Sequence, residues 1–224
     1  MALTLNEATT RLRRIINEAM PAMFLDTDLY DMISDAQQDL CADTDCLCGL
    51  TSFDLSDGVS SYTLPTGTQR ILQAWYVDGD NYYPIEQADD VETNILFGTG
   101  KTTEGRPLTM VRRSVDTCDF LPVPSESNTC QIYRSYEPTA ISLSADTFQV
   151  RDSWVRKGVL SLAAARCFEK TAEIDKANSY KAEYMYTVDE IKKVSDRWNV
   201  RSKPLSQYQT EQEQYRETLA SVLT

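Results

Sequence analysis

The sequence contains no histidine among its 224 residues. Catalytic groups that need an imidazole, such as Ser-His-Asp triads and Cys-His pairs, are therefore excluded, and so are zinc hydrolase motifs that begin with His-Glu. Glycine is scarce, and neither the G-x4-G-K-[ST] pattern of phosphate-binding loops nor G-x-G-x-x-G occurs. The stretch Phe97–Pro107 contains Gly-Lys-Thr without the preceding glycine of that pattern, and we interpret it as a surface loop.

Long apolar runs and a basic stripe are also missing. No run approaches the ~20 apolar residues that span a bilayer, and MALTLNEATTRLRRIINEAM lacks the apolar block of a signal peptide. The 34 acidic residues outnumber the 22 basic ones, which gives a formal charge of −12. An acidic surface repels DNA and phospholipid headgroups. We therefore expect a protein that is made in cytosol with reduced thiols and binds no membrane.

Three of the six cysteines fall within LCADTDCLCG, at Cys41, Cys46 and Cys48. Their C-x4-C-x-C spacing differs from the paired C-x2-C ligands of structural zinc sites. Without histidine, a metal would have only cysteine and aspartate ligands here. We interpret Cys41 as the end of a helix and the other two as residues that line its exit loop. No metal or cofactor site is predicted.

Two amphipathic helices that pair antiparallel are predicted near the N-terminus. The first follows the capping box Thr4-x-x-Glu7 and is predicted to end at Pro21. The second is predicted to start at Asp26–Asp28 and to stop near Gly49.

Two further helices are predicted in the C-terminal part. Apolar residues recur at steps of three and four over Val150–Ala165 and again over Ile174–Trp198. Pro204 blocks direct continuation of the second helix. Beyond it, a narrow apolar stripe follows helical spacing and is a candidate partner-binding arm: Leu205, Tyr208, Tyr215, Leu219 and Val222. The alternative is that this tail folds back on its own core or frays.

Between the helical regions, residues 50–140 contain short runs rich in Thr, Tyr, Val and Ile, which are typical of strands. The turn signal Asp78–Asn81 predicts a hairpin. A second hairpin is predicted between Asp119–Val123 and Thr129–Tyr136, closed by Pro124–Asn128.

The fold class predicted from these patterns is α+β. We expect mainly a helical bundle, of two short N-terminal and two long C-terminal helices, with an inserted antiparallel β module and a C-terminal arm. The predicted helical core comprises residues 1–49 and 145–199, the β-rich module residues 50–144, and the arm residues 200–224.

The stretch SSYTLPTGTQRILQAWYVDGDNYYPIE carries a family likeness. Tyr62-x-Leu64-Pro65 precedes Arg70-Ile71, and a hairpin precedes Pro84-Ile85. In this order the stretch resembles the head-to-tail adaptor (connector) proteins of short-tailed bacteriophages. The upstream DLYDMISDAQQDLCADTDCL is similar to the helix that leads to the first strand in that family.

The resemblance spans residues 4–200 and implies a virion structural protein with no catalytic residue and no cofactor. It implies a homo-oligomeric ring of twelve copies in the neck, assembled in the host cytoplasm. The portal protein would bind on one side and the tail nozzle, hub or fibre proteins on the other. Genomic DNA would pass through the lumen without specific binding, and we expect the arm to dock on the portal. The alternatives are another neck or tail-completion protein and, from a different class, a carboxylate-based hydrolase.

Overall fold

The computed structural model describes residues 3–18, 23–88 and 103–199, and for residues 195–199 it describes the backbone alone. The chain divides into two compact units. The first unit comprises Met1–Cys48 and Tyr136–Ser195, and the second is built on Gly49–Ser135. The chain therefore leaves the first unit after Cys48 and returns to it at Tyr136.

Helices build the first unit. Their bounds are Leu5–Ile15 (α1), Asp26–Thr44 (α2), Asp152–Trp154 (α3), Leu160–Lys170 (α4) and Ile174–Asn199 (α5), with a π-helical turn over Val155–Val159 that joins α3 to α4.

Helix α1 begins with the predicted capping box. The backbone N–H of Glu7 donates to Oγ1 of Thr4 over 3.3 Å, and the N–H of Thr4 donates to Oε2 of Glu7 over 3.2 Å. These bonds satisfy two donors that a helix start otherwise leaves unpaired. The helix ends at Ile15, earlier than expected, because Asn17 adopts a left-handed conformation at φ 57°. Pro21, the predicted end, lies outside the described residues.

Helix α2 begins at Asp26, as predicted, but ends at Thr44, before Gly49. Asp45 has φ 49° and its N–H donates to the carbonyl oxygen of Cys41 over 2.9 Å, which closes the last turn. A left-handed residue after the last turn is a common helix end. Gly49 lies in the first strand instead.

The core of the first unit is centred on α2, whose Leu29, Ile33 and Leu40 are fully buried. The π-helical turn packs closely here through Gly158. A Cβ atom on Gly158 would lie 3.2 Å from Cγ2 of Thr187 in α5 and 3.3 Å from Cδ1 of Leu40. Glycine therefore lets three helical segments approach one another at this point.

Strands build the second unit. Their bounds are Cys48–Leu55 (β1), Ser61–Thr63 (β2), Thr68–Asp78 (β3), Asn81–Ala88 (β4), Glu104–Gly105 (β5), Thr109–Arg112 (β6), Thr117–Leu121 (β7), Val123–Pro124 (β8) and Asn128–Tyr136 (β9). Seven of them form one curled sheet in the order β1-β9-β3-β4-β6-β7-β2, while β5 and β8 form a separate parallel pair. The hydrophobic core of the second unit includes Leu64, Ile85 and Phe120.

The hairpin predicted at Asp78–Asn81 is present between β3 and β4, with Val77 opposite Tyr82. Gly79 supplies the positive φ, 57°, that a tight turn needs. The second predicted hairpin is wrong. Strand β7 lies between β6 and β2, whereas β9 lies between β1 and β3. A strand pattern identifies a strand but does not choose its partner.

The predicted fold class is wrong in its proportions. Strand makes up 31% and helix 40% of the structure, so this is not a mainly helical bundle with a small insertion. Of the last two helices only α5, with 26 residues, is long, since α4 has 11. The sheet is not wholly antiparallel either, because β4 and β6 run parallel. The short runs predict local hairpins, but pairing between strands that are distant in the chain joins them into one large sheet.

Candidate functional site

The Tyr-Leu-Pro motif forms a packed corner of the second unit. The hydroxyl oxygen of Tyr62 accepts the N–H of Ser56 over 2.9 Å and lies 2.8 Å from the carbonyl oxygen of Val59, to which it can donate. The ring of Tyr62 stands edge-on to Phe120, with 5.5 Å between centroids, and Leu64 is buried. The Tyr-Leu-Pro motif, which carries the family likeness, therefore has a structural role and stabilises this corner of the second unit.

Two arginines fix the segment Pro65–Gln69 that follows this motif. Nη1 of Arg112 donates to the carbonyl oxygen of Gln69 over 2.6 Å, and its Nη2 donates to that of Thr68 over 2.9 Å. Nη1 of Arg134 donates to two further carbonyl oxygens of the segment, over 2.9 and 3.1 Å. A guanidinium suits this task because its donors are arranged as a rigid fork. The sequence held no signal for this arrangement.

The cysteine cluster lies where the chain leaves α2. Cys41 is fully buried in the last turn, and its Sγ lies 3.7 Å from Sγ of Cys46. Sγ of Cys48 donates to the carbonyl oxygen of Asp45 over 3.0 Å. Within residues 3–18, 23–88 and 103–199, no group of three or more Cys, Asp or Glu side chains is placed to hold a metal ion.

The two contacting thiols differ in acidity. The hydrogen bond with Cys41 lowers the pKa of Cys46. The same hydrogen bond, together with burial, raises the pKa of Cys41. Negative charge is therefore better tolerated on Cys46, the half-buried member of the pair.

Two further groups with shifted pKa values, Asp146 and Tyr184, make structural hydrogen bonds in the first unit. The N–H groups of Leu143 and Ser142 donate to the carboxylate of Asp146 and lower its pKa. Burial raises the pKa of Tyr184, and so does the hydrogen bond of 2.6 Å that its hydroxyl donates to Asp43. Both contacts stabilise the first unit.

The outer face of α2 is acidic. Asp31, Asp35, Asp39 and Asp43 recur at steps of four and are exposed. Asp39 forms an ion pair with Arg166, and Asp43 accepts the hydroxyl of Tyr184. Asp31 and Asp35 continue this negative stripe toward the start of α2.

The outer face of α5 is partly apolar. The stripe over Ile174–Trp198 predicted the buried face, and Ala177, Tyr184 and Ile191 are in the core. Two members depart from the prediction, since Ile174 and Val194 are 55% and 39% exposed. Met185 and Tyr186 lie off this face and are 55% and 63% exposed. These two side chains are thus exposed to solvent among charged residues of the same turns, such as Lys181 and Asp189.

A family model described as SU10 adaptor protein matches residues 3–207. The chain belongs to the SU10 adaptor protein family. Membership makes it a phage adaptor with a structural role and a component of the virion. No curated protein matches the chain.

The resemblance to phage adaptors is thus confirmed at the level of the SU10 adaptor family. That family is a structural one, which speaks against an enzyme. Among the described helices, none has both the length and the apolar character needed to cross a membrane.

The candidate arm residues of this SU10 adaptor family member lie outside the described residues: Leu205, Tyr208, Tyr215, Leu219 and Val222. Most of the stretch Phe97–Pro107, which was predicted to be a surface loop, also lies outside the described residues. Its described part, from residue 103 onward, differs from this prediction. Glu104 and Gly105 form β5, which pairs with Val123 and Pro124.

Proposed function

We propose that this chain is a head-to-tail adaptor, which forms a ring of identical copies between the portal and the tail of a short-tailed phage. The match to the SU10 adaptor family over residues 3–207 carries this proposal. The exposed apolar residues of α5 support it, since a ring subunit needs surfaces that neighbours can cover. The ring would hold twelve copies, with the portal on one side and nozzle, hub or fibre proteins on the other.

Assembly with the portal is the direct test. Purified chain is mixed with purified portal protein and examined by electron microscopy, and we expect closed rings seated on the portal. Particles from which the gene is deleted should have filled heads without tails. Complete infectious particles without this chain would contradict the proposal, and docking on tail components alone would indicate a tail-completion protein.

The acidic balance supports a role as a DNA conduit. DNA should pass through the lumen without specific binding, because like charges keep it from adhering to the wall. The exposed carboxylates of Asp31 and Asp35 on α2 are candidates for such a wall. We expect the double variant Asp31→Lys, Asp35→Lys to slow DNA ejection. The control Asp57→Lys, Asp116→Lys makes the same charge change at exposed positions of the second unit. Equal ejection by both variants and the wild type would remove the conduit argument.

The arm over residues 200–224 is proposed to dock on the portal. Deletion of Lys203–Thr224 should abolish docking but leave the two compact units folded. A finer comparison uses Tyr208→Ser with Tyr215→Ser on the apolar stripe, against Gln209→Ser with Gln214→Ser off the stripe. Only the first pair should weaken docking, and intact docking after the deletion would refute this role.

A further inference from the structure

The geometry at the end of α2 brings two thiols into contact. The left-handed residue Asp45 turns the chain so that Cys46 comes back against Cys41, and their Sγ atoms are 3.7 Å apart. A disulfide has a sulfur separation of about 2.05 Å. Bond formation therefore needs an approach of about 1.7 Å between atoms that are already adjacent, in a short and half-buried exit loop.

We propose that Cys41 and Cys46 are a site of reversible disulfide formation. The oxidant is a small-molecule disulfide such as oxidised glutathione. This chemistry concerns the subunit alone and does not depend on the proposed ring.

The exchange has two steps. The thiolate of Cys46, which is partly exposed, attacks one sulfur of oxidised glutathione and releases one glutathione thiolate, which takes up a proton. The buried thiol of Cys41 then gives up its proton and attacks the sulfur of Cys46, releasing the second glutathione. Two protein thiols are oxidised, and one glutathione disulfide is reduced to two thiols. The lowered pKa of Cys46 favours it as the first attacker.

The other cysteines are less suited to the first step. Burial raises the pKa of Cys118 to about 12 and that of Cys167 to about 11. Cys130 is fully buried and its pKa is raised as well. The thiol of Cys48 is half-buried and bonded to a backbone carbonyl oxygen. Cys46 is thus the one described cysteine that combines partial exposure, a lowered pKa and a thiol neighbour.

The timing follows from the role of the chain as a virion component. Host cytosol keeps thiols reduced, so the site stays open during assembly. A particle released from the cell meets oxidising surroundings, where the disulfide closes the loop between α2 and the first strand. This timing rests on the proposed function, whereas the exchange itself does not.

Thiol counting on the isolated chain tests the exchange. The folded protein is equilibrated with oxidised glutathione, the remaining thiols are labelled with a maleimide, and the labels are counted by intact mass. We expect the wild type to fall from six free thiols to four. Cys46→Ser should keep all five of its thiols, while the matched variant Cys48→Ser should fall from five to three. Oxidation should raise the melting temperature of the wild type by about 5 °C.

Three results would overturn the proposal: a wild type that keeps six thiols, a persistent glutathione adduct on Cys46, or an equal loss of thiols in Cys46→Ser. Particles lysed into an alkylating agent test the timing separately. Released particles should carry the Cys41–Cys46 disulfide and intracellular ones should not. Reduced thiols in released particles, with exchange intact in the isolated chain, would refute the timing alone.

Discussion

Replacing Arg112 by lysine should destabilise the second unit although the charge is kept. The guanidinium donates to four carbonyl oxygens, at 2.6 and 2.9 Å to Gln69 and Thr68, and at 2.6 and 3.0 Å to Val115 and Ser114. A lysine ammonium is a single point of charge and does not span these separated acceptors.

The expected magnitude follows from the burial of these bonds. The bonds to Val115 and Ser114 are exposed, so water can replace them at little cost. The bonds to Gln69 and Thr68 are part-buried, and a hydrogen bond to a charged group contributes about 1.5–3 kcal/mol. If lysine keeps one of the two, Arg112→Lys should lower the free energy of unfolding by about 1.5–3 kcal/mol.

The neighbouring Arg113 supplies the matched control. Its Nε donates to Oδ2 of Asp119 over 2.7 Å, an ion pair that a lysine can also make. We expect Arg113→Lys to cost less than Arg112→Lys, because a lysine can keep the charge beside the buried carboxylate of Asp119.

Urea unfolding followed by tryptophan fluorescence measures both variants. Trp75 lies in β3 of the second unit and Trp154 in the first. A background with Trp154→Phe and Trp198→Phe therefore leaves Trp75 as the reporter. With a slope of about 1 kcal/mol per molar urea, the Arg112→Lys midpoint should fall by about 2 M. Equal midpoints for the Arg112 and Arg113 variants would refute the reasoning.

Two predictions concern the first unit. Gly158→Val should destabilise it by about 1–3 kcal/mol, because the new side chain meets Leu40 and Thr187 in a packed core; a melting temperature at or above that of the wild type would contradict this. Tyr184→Phe should cost about 1 kcal/mol at pH 7 through the lost bond to Asp43. The raised pKa of Tyr184 means that the unfolded chain loses its proton first, so its contribution is complete below about pH 10 and falls above it. The stability gap between wild type and Tyr184→Phe should therefore narrow above pH 10 in thermal unfolding, and a constant gap would show that the tyrosine does not titrate differently in the two states.

Short-range signals were reliable in this chain. The capping box at Thr4 and Glu7 and the hairpin turn at Gly79 were predicted and are present. In each case the residues that decide the structure lie within four positions of one another. Backbone hydrogen bonds and φ preferences act over that range, whatever the rest of the chain does.

Helix ends were less predictable. The helices α1 and α2 end where Asn17 and Asp45 take left-handed conformations. Pro21 and Gly49 carried the stronger stop signals, but asparagine and aspartate also tolerate this conformation at modest cost. The residue at which a helix ends therefore depends on the position of the next element as well as on the local sequence.

Exposure of surface residues could be predicted from local patterns, whereas contacts between distant residues could not. Met185 and Tyr186 do not belong to the apolar stripe of α5, so the sequence pattern is consistent with their exposure to solvent. In contrast, the two part-buried carbonyl acceptors of Arg112, in Gln69 and Thr68, lie 43 and 44 residues earlier in the chain. The contact of Cys41 with Cys46 depends on the left-handed conformation of Asp45, which could not be predicted from the sequence.

The amino-acid sequence by itself determined the identity of most helices and strands, the acidic character and the adaptor likeness, since these reside in local periodicity, charge and motif. Tertiary structure alone decided that β9 lies between β1 and β3, that seven strands form one sheet, and that Gly158 sits at a three-way helical contact. Partner choice between distant segments depends on the free energy of burying their side chains together. No stretch of one strand or one helix contains that quantity.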